Sequence, residues 1–577
     1  MKVLVWVALF LMAAPAFATP ADDSFKALTV KEWAWRQQSY QSDLSNKGGV
    51  QPHLSDESVR NQQERLAYWT GVLKALDAIR LSDLSPIVRE DYGVYRPQIE
   101  TLIDQLRFRE YEKPLNSDSA FWSDLAYVAR DPLRSEEDYV HLLSLMHDIP
   151  RYFADNIADM RLGLKRGFTP PKVIMAGRDR SIAAIAEAKG PEDTLWYGPF
   201  KEMPASIAAA RQAELRAQAR AVIGTDVIPA YATLLSFMRK DYLPHLRDDL
   251  AAESLPDGKA YYRSKIREFT TLDLSPDQIH QTGLAEVAKI RAQMDEVIKE
   301  VQFQGDFPAF LKFLRTDPQF YVRTPQALLD RAAWIAKQFD GKAKRWFGRM
   351  PRGRFGIIPV PDDIAPYYTA GRGGQDIYLL NTYDLPSRPL FQLTALTLHE
   401  SAPGHSWQGS LAAENEDRPD YRRYTYVSAY GEGWALYCEK LGVEMGMYKT
   451  PYDRFGMLSY QMWRAARLVI DTGIHSKGWT RAQAIAFLKD NSALSEHEIE
   501  TEVDRYIGWP GQALSYYLGA LQIGKERARA EQALGPKFDI RAFHDMVLSL
   551  GSVPLPVLIA RNDRFIAEGG KGPWPID

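Results

Sequence analysis

The chain has 577 residues, 45% of them hydrophobic, which is ample for a large buried core and more than one domain's worth of length. Its 71 basic and 74 acidic residues nearly cancel to a net charge of −3, so neither the basic footprint of a nucleic-acid binder nor attachment to an anionic membrane surface is expected. The single cysteine, Cys438, excludes an intramolecular disulfide, and its place in an apolar helical stretch reads as a small buried hydrophobe.

Residues 1–18 open with one Lys before an apolar run and end on Ala16-Phe17-Ala18, a small-x-small cleavage site. The run is short for a membrane span. It predicts a signal peptide removed after Ala18, with no cysteine behind it to mark a lipoprotein signal, and hence a periplasmic or secreted protein without stable membrane insertion.

Helix signals dominate the rest. Ser275-Pro276-Asp277-Gln278 combines an N-cap, a proline at the first helical position and a capping glutamine, and opens an apolar pattern that ends near Val301. Ser135 with Asp138, Thr480 with Gln483 and Ser495 with Glu498 are further capping boxes, while Ser85-Pro86 and Thr324-Pro325 are further starts. Stretches at 57–80, 86–110, 205–240 and 512–534 fit amphipathic helices. Residues 354–381 break the habit, and Gly356–Val360 and Asp376–Leu380 read as short strands joined by an irregular loop. A boundary is expected at 340–355, dividing an N-terminal helical lobe (19–350) from a C-terminal lobe (351–577).

The chemistry concentrates in residues 390–440. His399, Glu400 and His405 lie in the first part, Glu432 and Glu439 in the second. Zinc accepts imidazole nitrogen and carboxylate oxygen, and a catalytic site keeps one position open for water. His399, His405 and Glu432 can supply three ligands and leave Glu400 as a base. The two histidines are six apart rather than the usual four, which puts them about 120° apart on an ideal helix. Pro403 and Gly404 lie between them, so two residues bulge outward and return His405 to the His399 face, or the helix stops near Glu400 and His405 starts the next element. Glu432 and Glu439, seven apart, share one helical face.

HESAPGH, GEGWALYCE, RLVIDTGIHSKGW and EVDRYIGWPGQALSYYLG keep one order along the chain. Together they resemble the bacterial family catalogued as domain of unknown function 885, which is similar to the gluzincin metallopeptidases thimet oligopeptidase, angiotensin-converting enzyme and carboxypeptidase Taq. The resemblance runs over most of the mature chain. It implies a mainly α, two-lobed zincin-like fold with a small sheet beside the zinc helix and a deep central cleft. It also implies one Zn2+ per chain on His399, His405 and Glu432, with Glu400 activating water. Dipeptidyl peptidase III accommodates a one-residue insertion at the same place. Glu432 and Glu439 remain alternatives for the third ligand, the other being a supporting residue behind it.

Amide hydrolysis also needs a donor for the tetrahedral oxyanion. Tyr506, Tyr516 and Tyr517 fall where the relatives supply a tyrosine, and Tyr516 is the first choice. His475 is a candidate substrate donor, Arg505 and Tyr506 candidate substrate contacts, and Arg467 with Asp471 a candidate ion pair. The expected activity is hydrolysis of short peptides. The alternatives are hydrolysis of non-peptide amides or esters and a helical binding protein with a degenerate metal site, against which the retained Glu400 argues. The oligomeric state is left open.

Overall fold

The computed structural model describes residues 19–39, 53–117, 119–130, 132–362 and 364–574. The expected signal peptide lies outside the described residues. The expected helix starts form where local chemistry put them. Ser85 caps α1 (Pro86–Arg107), and Ser135 and Asp138 close a reciprocal capping box on α2 (Glu136–Arg166). Ser275 and Gln278 do the same for α3 (Pro276–Glu300), and Thr324 caps α4 (Pro325–Asp340). Each such cap satisfies backbone N–H groups that have no partner inside the helix, typically about 1 kcal/mol per cap. The 205–240 pattern becomes a continuous helical stretch, Ala209–His245, with π-helical turns at Ile223–Val227 and Met238–Tyr242. It is long and apolar enough to cross a membrane, but half of its most apolar window is buried against the rest of the protein.

The sheet is small. β1 (Gly356–Pro359) and β3 (Ile377–Leu380) are the two expected strands, and they pair in parallel. A third strand, β2 (Gly371–Gly373), forms inside the segment expected to be irregular and pairs antiparallel with β3, giving the order β1-β3-β2. Gly-Arg-Gly has little strand propensity of its own. Packing explains it: a Cβ on Gly373 would lie 1.9 Å from the carbonyl oxygen of Glu400, so only glycine lets this strand press against the helix that carries the histidines.

That helix is α5 (Leu390–Glu400), followed by α6 (His405–Ala413), α7 (Ser428–Glu444) and α8 (Pro451–Lys477). α8 is buried on all sides from Phe455 to Ile474 apart from Trp463, and it packs along both α3 and α5. Helices of this kind form the centre of a protein rather than its surface. α9 (Glu496–Gly508) starts at the expected Ser495 box, and α10 (Ser515–Leu534) lies against α7. The main apolar core extends from Leu54 to Phe565 and passes without a break through both sides of residue 350, so the expected lobes share one core. A smaller cluster around Phe25, Trp69, Tyr95 and Tyr421 packs the first helices.

Candidate metal centre

The histidine helix is broken, not bulged. α5 ends at Glu400 and α6 begins at His405. The link between them holds Pro403, which has no N–H to continue the helix and disfavours helical geometry in the residue before it. Three bonds anchor the link: Trp434 Nε1 to the Pro403 carbonyl (2.8 Å), the Gly404 N–H to the Leu398 carbonyl (3.0 Å) and Ser406 Oγ to the Glu400 carbonyl (3.1 Å). The break achieves what a bulge was expected to do, bringing the imidazoles of His399 and His405 to 4.9 Å between centroids, nearly perpendicular at 85°.

α7 completes the set. Glu432 Oε2 lies 3.5 Å from His399 Nε2 and 3.4 Å from His405 Nε2. Those separations are long for N–H···O hydrogen bonds, which cluster at 2.7–3.2 Å. They fit donors around a shared tetrahedral zinc, whose bonds of about 2.0–2.2 Å place neighbouring ligand atoms about 3.4 Å apart. Two turns further along the same face, Glu439 is fully buried and accepts from His399 Nδ1 at 2.7 Å. One helix therefore holds both nitrogens of His399. Glu432 meets the nitrogen that faces the site, and Glu439 meets the one behind it, which fixes the tautomer and ring plane. Gln461 of α8 donates to Glu439 Oε2 (3.4 Å), and Arg464 comes within 3.9 Å of Oε1.

Glu400 competes with Glu432 for the role of third donor, since its carboxylate and both histidines fall within 4.8 Å of one another. Glu432 has the better claim. Its Oε2 sits at a metal-sharing separation from both imidazoles, while Glu400 Oε2 is engaged by the Gly373 N–H at 2.6 Å. Glu400 is thereby left beside the histidines as an unligated carboxylate. The residues present fit a two-histidine, one-glutamate metal centre with a base alongside.

The electrostatics follow from this crowding. Burial opposes charge on His399, but Glu400, Glu432 and Glu439 together raise its pKa to about 10. Burial likewise works against an ionised Glu432, yet His405 and His399 hold it well below the ordinary carboxylate range. A cation entering the centre would replace the His399 proton as the counter-charge.

Several sequence expectations change. His475 is fully buried, its Nδ1 accepting from the Ala252 N–H (3.1 Å) and its Nε2 bonded to the Tyr506 carbonyl (2.9 Å). Burial pushes its pKa down to about 3, and neither nitrogen remains for a substrate. Arg467 and Asp471 do not pair. Arg467 reaches Glu502 (2.8 Å) and Tyr506 Oη (3.0 Å), whereas Asp471 accepts from Tyr262 (2.6 Å) and the Gly511 N–H (3.1 Å). Tyr506 is therefore buried support for Arg467, with Trp463 also donating to it at 2.9 Å, rather than a surface for substrate. Tyr517 bonds Glu286 (2.8 Å), away from the histidines.

Tyr516 is within electrostatic reach of Tyr426, which bonds Glu432, and carries Arg467 over its ring at 4.2 Å. Arg505 donates to its hydroxyl oxygen at 3.1 Å, which leaves the Tyr516 hydroxyl hydrogen free to donate elsewhere. Arg505 also binds Gln512 (2.6 Å) and approaches Glu502 (3.4 Å). Sequence reasoning missed Tyr426, whose hydroxyl reaches Glu432 Oε1 at 3.2 Å, and the Gly373 N–H on Glu400. The Gly-rich run at 371–374 hinted at the second, but nothing local pointed to Tyr426.

Residues 42–561 match the family described as "Bacterial protein of unknown function (DUF885)". The chain belongs to the DUF885 family. Among solved structures it is similar to a "putative lipoprotein" from Colwellia psychrerythraea, with 26% identity and a TM-score of 0.85 over 95% of this chain and 98% of that one. It is also similar in fold to another so described, of unknown function, from Shewanella oneidensis, with 18% identity and a TM-score of 0.66 over 94% and 99% of the two chains. No curated protein matches the chain. The HESAPGH and GEGWALYCE segments of this DUF885 chain carry His399, Glu400, His405, Glu432 and Glu439.

Proposed function

We propose that this DUF885 protein is an exported zinc peptidase that hydrolyses peptide bonds in short peptides. The observation that carries the reading is the meeting of His399 Nε2, His405 Nε2 and Glu432 Oε2 at metal-sharing distances, with Glu400 unligated beside them. The resemblance to gluzincin peptidases, with two lobes about a central cleft, points the same way. Export is supported by the lipoprotein description of the similar structures and by the apolar leader at residues 1–18. The only cysteine of this sequence, Cys438, is buried in α7, so lipid attachment is not part of the proposal.

Bound zinc would polarise the scissile carbonyl and acidify a water. Glu400, oriented by the Gly373 N–H, takes the water proton and passes it to the leaving amine. The Tyr516 hydroxyl, with Arg505 behind its oxygen, donates to the developing oxyanion. Arg467 and Arg505 both reach Glu502, whose pKa they hold down to about 2 against the effect of burial. Arg505 stays the candidate contact for a substrate carboxylate, because its planar fork suits one and it already reaches the Tyr516 hydroxyl.

Two measurements test the reading. Purified protein is expected to carry about one zinc per chain and to lose activity to chelators, with recovery on adding zinc back. Elemental analysis without a transition metal would leave the helical binding protein as the better reading, and turnover of esters or non-peptide amides but not peptides would favour the other hydrolase. Tyr516→Phe should lower kcat about 10²–10³-fold with little change in KM, because the bond forms mainly in the transition state. A kcat within a few-fold of the parent assigns the oxyanion to another donor.

A further inference from the structure

Tyr426 does two things at once in this structure. Its hydroxyl bonds Glu432 Oε1, the carboxylate oxygen that does not face the histidines. The residue is nonetheless 62% exposed, and its hydroxyl has Glu432, Tyr516 and Glu400 as neighbours. The hydroxyl end of the ring presses on α7 immediately before Glu432: a Cβ on Gly431 would meet Tyr426 Cε2 at 2.6 Å. The rest of the ring is largely exposed, beside the centre. An exposed tyrosine ring next to a reacting centre offers an apolar surface on which another aromatic ring can stack. Tyr368 is also within electrostatic reach of Glu400 and of Tyr127, which is 60% exposed.

We propose that Tyr426 is a specificity-determining and positioning residue: its hydroxyl orients Glu432 for the metal, and its exposed ring stacks an aromatic side chain of the peptide next to the scissile bond. The inference rests on the peptidase reading and names the substrate class, peptides with an aromatic residue flanking the cut. The hydroxyl and the ring have separable consequences. Removing an outer-shell partner of a metal ligand typically weakens metal binding about 10–100-fold. Losing one aromatic stack typically changes affinity by up to about tenfold.

The test uses Tyr426→Phe and Tyr426→Leu, with Gly431→Ala as a variant that displaces the ring while leaving both groups intact. Zinc affinity is measured by competition with a chromogenic chelator, which requires no turnover. Peptide affinity is measured by calorimetry on zinc-saturated Glu400→Gln protein carrying each change, with pentaalanine and the pentapeptides that place one Phe at each position. Phe should weaken zinc binding about 10–100-fold and keep the preference for a Phe-containing peptide. Leu should weaken zinc binding similarly and also lose about tenfold of that preference, and Gly431→Ala should reduce both. Zinc affinity unchanged in Tyr426→Phe overturns the positioning role. A Phe preference equal in the parent and Tyr426→Leu, or absent in both, overturns the platform alone. If the parent binds zinc but none of the peptides, the peptidase reading falls and takes the platform with it.

Discussion

Glu400→Gln is expected to leave zinc stoichiometry near the parent value and to reduce kcat by about 10²–10⁴-fold, the usual effect of removing a general base. The substitution is nearly isosteric, and its amide oxygen can still accept from the Gly373 N–H that now holds Glu400 at 2.6 Å. β2 should therefore stay against α5, and what disappears is the capacity to take a proton. Glu400 is 8% exposed, so no bulk carboxylate replaces it readily. Single-turnover kinetics at saturating zinc, paired with elemental analysis, give the answer. Loss of the metal in this variant would make Glu400 a ligand and move the base elsewhere, a real alternative given that its carboxylate lies within 4.8 Å of both histidines' ligand atoms.

The second large effect separates the two glutamates of α7. Glu432→Ala and His405→Ala should each abolish stoichiometric zinc, since each removes one of three protein donors. Glu439→Gln should keep a bound metal but weaken it about 10–100-fold, as expected for a residue that acts through the far nitrogen of a ligand histidine. Glu439 is also the acid nearest the buried Arg464, 3.9 Å away, so this variant should melt at a lower temperature than Glu432→Ala, whose carboxylate is partly exposed. Zinc retained in Glu432→Ala and lost in Glu439→Gln would reverse the two roles.

Much of this molecule is settled over distances of three to seven residues, and those features are legible in the sequence. Capping boxes are i, i+3 arrangements, so Ser135, Ser275, Thr480 and Ser495 announce the helices they start. Glu432 and Glu439 share a helical face because seven residues make nearly two turns, and their common reach to His399 follows. The donor types, two imidazoles and nearby carboxylates, are likewise plain in the chain. Pro403 and Gly404 signal a disturbance between the histidines but not its form, because a bulge and a break differ only in what the freed backbone finds to bond. Here it finds the Trp434 indole, a residue of another helix. The same limit applies elsewhere. β2 exists because Gly373 meets Glu400, Arg467 turns to Glu502 of α9 instead of Asp471 on its own helix, and His475 is consumed by Ala252 and the Tyr506 carbonyl. Glu432 faces the histidines with one oxygen and Tyr426 with the other. Each of these choices is made by contact between elements that packing brings together, so only the tertiary structure decides it.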